Sequence, residues 1–251
     1  MTSDFAYDPV TAVDEATATG RTAELFADIR TTMGIPLVTS IWRGLAGMGD
    51  SLEQVWALAK PIYSSGLPAP ALERVIARAE LPRPQPLAAE QLDRAGIDGR
   101  ALRDIRAIIA AYNRSNGMNL VALAALVAPP AAKPLPPVAP APAPDWPPLR
   151  PLLPRAAIDD ETWALVRQAN ALGAPGPDAH VATLWRHLAH WPGLLALTCG
   201  AFAPLHTGGA IAAACLRAVA LAYDGGAGMA PLRPPQPALP PPHRDPMATH
   251  G

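Results

Sequence analysis

The stretch DAHVATLWRHLAHWP, residues 178–192, decides how this chain is read. It is echoed earlier, in PLVTSIWRGLAGM at residues 36–48. Ile41-Trp42-Arg43-x-Leu45-Ala46 returns as Leu184-Trp185-Arg186-x-Leu188-Ala189, and each copy precedes an apolar, helix-like run, at 52–62 and 194–202. A unit used twice builds two related lobes, so an internal echo is weighed before anything else. The expected fold is all-α: two pseudo-symmetric helical repeats with a Pro-rich linker between them, and any site in the cleft they share.

Working outward, apolar residues at three- and four-residue steps predict helices over 21–33, 36–47, 52–63, 69–80 and 87–95. Asp98 is placed to cap a helix over 99–112. Asn113-Arg114-Ser115-Asn116-Gly117 then interrupts the pattern, which resumes over 118–127. This segment reads either as a capped kink or as polar groups aimed into a cleft, because buried polar groups need partners. Residues 129–151 hold eleven prolines and no period, which marks an extended linker. Helices are expected again over 161–172, about 180–190, 194–202 and 210–223, and seven of residues 231–242 are proline. The domain reading is a flexible arm at 1–18, a first repeat at 19–128, the linker at 129–151, a second, truncated repeat at 152–224, and a disordered tail at 225–251.

Composition narrows the function. Half of the 251 residues are hydrophobic, 16% are charged and the net charge is −1. Nucleic-acid binding needs concentrated Lys and Arg, so it is not expected. The start, MTSDFAYDPV, lacks the form of a secretion signal, and the apolar region 193–216 is broken by Pro204, His206 and Gly208-Gly209. A cytoplasmic protein without a membrane span is the expectation. Cys199 and Cys215 read as small apolar residues. The shorter second half leaves one side open, and a homodimer is one way to cover it.

No metal spacing is convincing. His180, His187 and His190 lie on the central helix, but no carboxylate three or four residues on completes a site. No metal and no cofactor are expected. Thr39, Ser40 and Thr183 are hydroxyls on the echoed helices, which commonly bond their own backbone. Trp42 and Trp185 read as core anchors. Arg43 and Arg186 read either as packing stems with a paired head or as receptors for an anionic substrate group.

The motifs Phe26-Ala-Asp-Ile-Arg30, Ile35-Pro36-x-Val38, Arg43-x-Leu45-Ala46, Tyr112-Asn113-x-x-Asn116 and His190-Trp191-Pro192, in this order, resemble the group I 2-haloacid dehalogenases. The resemblance covers about residues 20–205. It implies two pseudo-symmetric helical halves with a site at their interface. It implies hydrolysis of the carbon–halogen bond of short 2-haloalkanoic acids, with inversion, by direct attack of water. In that family an Asp of the second half is the base and an Asn of the first helps to place the water. Carried over, the Asn falls on Asn116. Pocket positions fall on Leu37 and Ser40 in the first half, and on Ala182 and Thr183 in the second. The base position falls on Leu184, which takes no proton. His187, three residues on, is the substitute base that the resemblance leaves, since an imidazole titrates near neutrality. Asp178 comes into view only through a loop longer than the family's. Three readings follow: a dehalogenase-type hydrolase of a small carboxylic acid with His187 as base; a non-catalytic or differently acting module of the same fold that binds a small ligand, where the apolar Leu37 and Leu184 suit a neutral one; or a scaffold whose Pro-rich linker and tail bind a partner.

Overall fold

The computed structural model describes residues 12–173 and 180–235. Among the described residues the chain is all-α, with no strand. The helices are α1 (Gly20–Met33), α2 (Ser40–Ala46), α3 (Ser51–Ser64), α4 (Pro68–Arg78), α5 (Ala89–Arg94), α6 (Gly99–Val127), α7 (Asp160–Ala171), α8 (Thr183–His187), α9 (Pro192–Thr207) and α10 (Ala210–Met229). Their ends follow local chemistry. Asp98 accepts from Ala101 N and Asp159 from Thr162 N, each supplying a partner to a first-turn donor. α1 stops where Gly34 turns left-handed at φ 61° and its N–H closes on Arg30 and Thr31.

Of the two readings of 113–117, the capped kink does not form, and α6 runs unbroken for 29 residues. Its polar residues are accommodated one by one. Asn113 and Asn116 face outward. Arg114 donates from Nε to the carbonyls of Met33 and Gly34. Gly117 gives room to Leu72, whose Cδ1 would lie 2.6 Å from a Cβ there.

This one helix serves two cores. Met118, Val121, Ala122 and Ala125 join Phe26, Ile29, Trp42, Ile62 and, from α10, Ala222 and Met229. Ala101, Ile105, Ile108 and Tyr112 join Ile158, Val166, Leu188, Trp191 and Leu195. The cores therefore do not follow chain order: α10 packs into the first, and the start of α6 into the second. α10 also continues beyond residue 224, through a stretch expected to be tail, to Met229. The reason is close approach, since a Cβ on Gly226 would meet Ala125 N at 2.8 Å. The 23-residue stretch Ala210–Leu232 is long and apolar enough to cross a bilayer by length and composition. Here it packs on α6 and α4.

Residues 12–18 of the expected flexible arm, and the expected extended linker, are tied to this body. Val13 pairs with the backbone of Arg43, and the Glu15 carboxylate holds Arg30 and the N–H of Val38. That capture also keeps residues 35–39 out of helix, so α2 begins at Ser40 rather than at Pro36. The proline-rich segment carries neither helix nor strand over 129–151 but is stitched along the surface. Ala131 and Leu135 donate to Ala227 and Gly228, and Val138 donates to Ser65. Trp146 donates from Nε1 to Gly34 O. Gly66, at φ 73°, is required where the segment passes: a Cβ would sit 2.3 Å from Val138 O.

Candidate functional site

The polar interior lies where the two cores meet along α6. Tyr112, Ser115 and Asn119 are buried there and, at steps of three and four, share one face. From the first core, the Asn119 side chain gathers three partners. Its Oδ1 accepts from Trp42 Nε1 at 3.2 Å and from Tyr63 OH at 2.8 Å, and its Nδ2 donates to Thr39 Oγ1 at 2.9 Å. Burial pushes the Tyr63 phenol far above its ordinary range, so it stays a donor. From the second core, α8 brings Thr183, Arg186 and His187, all buried.

His187 is held at both ring nitrogens. Nε2 lies 2.6 Å from Arg150 O, and a carbonyl only accepts, so Nε2 carries the proton. Nδ1 is then the acceptor for Tyr112 OH at 3.3 Å. Burial, followed by the nearby charges of His190 and Arg186, pushes the His187 pKa down against the raising effect of the Arg150 carbonyl. The imidazole is therefore neutral near pH 7. His190 Nε2 donates in the same way to Pro151 O at 2.8 Å. The end of the proline-rich segment is thus fastened beside the seam, with the Arg150 guanidinium 5.1 Å from the centre of the Trp191 ring.

Between these two groups stands Ser115. Its hydroxyl is fully buried and has no hydrogen-bond partner among the described residues, which is uncommon for an interior polar atom. No Asp or Glu is buried among the described residues. No group of three or more His, Cys, Asp or Glu among them is placed to hold a metal.

The sequence-derived candidates fall unevenly on this seam. Leu37 and Leu184 are each half-buried and each pack against the second core. Thr183 opens α8 and is buried, and His187 closes it. Ser40 and Ala182 are half-buried. α8 starts at Thr183, not near His180, because Asn170 captures the preceding backbone. It donates to His180 O at 3.0 Å and accepts from Ala182 N at 2.9 Å. Asp178 lies outside the described residues. Asn116 is exposed on α6, and the asparagine turned inward is Asn119. The sequence did carry a signal for it: continuing the apolar face of an unbroken helix from Ile108 through Tyr112 and Ser115 arrives at Asn119.

Two apolar cores sharing one long helix, with a polar seam between them, make an all-α fold. Solved structures of similar fold are D-2-haloacid dehalogenases. A complex of such an enzyme with L-LA is 18% identical and superposes with a TM-score of 0.73, covering 87% of this chain and 79% of that one. A mutant D-2-haloacid dehalogenase is also 18% identical, at 0.71, covering 87% and 78%. A mutant complex with D-2-CPA is 16% identical, at 0.63, covering 88% and 91%. No family model and no curated protein matches the sequence. At these identities the likeness establishes the fold.

Proposed function

We propose that the seam between α2, α6 and α8 binds a short carboxylic acid of the 2-haloalkanoic class, and that the chain binds it without Asp-driven hydrolysis. The observation that carries this reading is the wall at position 184. Leu184 packs against the apolar second core, and among the described residues no buried carboxylate stands in for a base. In-line displacement by water needs a base within hydrogen-bond reach of that water. The buried Arg186 brings positive charge to the same helix, which suits an anionic ligand. The element order supports a repeat behind the site: α1, α2 and α3 correspond to α7, α8 and α9, with the echoed Trp-Arg pair on α2 and α8.

One observation favours a second reading, a hydrolase of the dehalogenase type acting through His187. The hydrogen bond to Arg150 O fixes the tautomer and leaves Nδ1 as an acceptor, as a general base requires. Tyr112 holds that acceptor, so a water would have to displace the phenol. Calorimetry with both enantiomers of 2-chloropropionate, beside a chloride-release assay, separates the readings. Saturable binding without chloride supports the first. Chloride release that is lost in His187→Asn supports the second. Neither binding nor release removes both.

A further inference from the structure

Away from the seam, a cleft of about 100 Å³ opens between the end of α1, the start of α4, the middle of α6 and the proline-rich segment. We infer that this cleft is a binding site for a small oxyanion, a carboxylate or a phosphate, with the Arg114 guanidinium as its receptor.

Arg114 lines the cleft together with Thr31, Gly34, Ala69 and Ala143. Its Nε is committed to two backbone carbonyls, Met33 O at 3.3 Å and Gly34 O at 3.2 Å. These two bonds fix the plane of the fork beside Gly34, where a Cβ would meet Nη2 at 3.4 Å. Among the described residues no carboxylate pairs with this arginine, and no Asp or Glu lines the cleft. Burial pushes the Arg114 pKa down, the expected effect of water withdrawn from a cation whose charge nothing answers. A half-buried guanidinium without a counter-charge is costly, and an oxyanion placed on its remaining N–H groups removes that cost through charge-assisted bonds.

The neighbouring backbone helps. α4 begins at Pro68 with no side-chain cap, and Pro68 and Pro70 have no N–H to offer. Ala69 carries the first-turn N–H on the wall of the cleft, at the positive end of the helix. The size also fits, since about 100 Å³ takes a few waters or one small anion but no drug-sized ligand. The far wall is the segment 140–143, so an anion held here joins that segment to α1, α4 and α6.

The test is a titration of the full chain with inorganic phosphate and, separately, acetate, at ionic strength held constant with sodium chloride. Thermal unfolding and calorimetry read the binding, and the two arms distinguish a phosphate from a carboxylate source. Saturable binding of either anion, weakened about tenfold or more by Arg114→Gln and retained by Arg103→Gln, is the expected result. Absence of saturable binding to the wild-type chain overturns the inference, as does equal binding by Arg114→Gln. If Arg114→Gln fails to fold, the arginine Nε–H NMR resonances of the wild-type chain decide: one must shift with phosphate or acetate, and none shifting overturns the site.

Discussion

Replacing Asn119 by alanine, with Asn116→Ala as its companion, tests whether α6 runs unbroken and which asparagine faces inward. Asn119→Ala removes the acceptor of two buried donors, Trp42 Nε1 and Tyr63 OH, and the donor to Thr39 Oγ1. An orphaned buried donor costs about 1–3 kcal/mol, so the two orphaned donors together cost about 2–6 kcal/mol, leaving aside Thr39 Oγ1, which loses its donor. A midpoint of about 4 kcal/mol lowers the melting temperature of a chain this long by about 8–16 °C. Water entering the space would reduce the loss toward the lower bound. Asn116 is exposed, so its truncation is expected to change stability by no more than about 0.5 kcal/mol. Urea unfolding followed by tryptophan fluorescence measures both. A loss under about 1 kcal/mol for Asn119→Ala, or a larger loss for Asn116→Ala, would refute the placement of the polar stripe.

Other consequences can be measured with the same assay. Gly66→Ala should cost more than Gly96→Ala: both glycines are left-handed, at φ 73° and 71°, but only at Gly66 would a Cβ strike Val138 O. A difference of about 1–3 kcal/mol is expected, and equal costs would mean that the proline-rich segment is not seated there. His187 has a folded pKa below its unfolded value, so the unfolded chain binds the extra proton. Its contribution to stability is complete above about pH 6.5 and is lost as pH falls below it. His187→Asn should therefore flatten the decline between pH 7.5 and 5.5, and an unchanged slope would contradict the buried neutral imidazole. Asn170→Ala should raise hydrogen exchange at Ala182 N, whose acceptor it removes. Unaltered protection would show that α8 begins where it does for another reason.

Helical periodicity alone carried α1, α3 and α7, because their apolar spacing is local; α9 runs past its expected end at 202, through Pro204, to Thr207. What failed was every place where a distant side chain overrules local preference. Pro36 is a natural first-turn residue, yet Glu15 binds Val38 N and delays α2. Residues 180–182 continue a helical pattern, yet Asn170 draws out their backbone. The polar run 113–117 and the glycines after residue 224 look like breaks when read alone. They become helix once the partners are known: the Met33 and Gly34 carbonyls for Arg114, Leu72 against Gly117, and the backbone of Ala125 against Gly226. The candidate site was legible in part for the same reason. Leu37, Thr183, Leu184 and His187 come from the resemblance; Thr183 and His187 are buried on α8, and Leu37 and Leu184 pack on the second core. Asn119 was hidden because the supposed kink cut the register that points it inward.

A structure of the full chain grown with 2-chloropropionate tests the central claim most directly. The account predicts an intact ligand, its carbon–chlorine bond unbroken, seated in the seam against Leu184 and within hydrogen-bond distance of the Ser115 hydroxyl. A seam left empty at saturating ligand, or one holding the hydroxy acid in place of the halide, would contradict it.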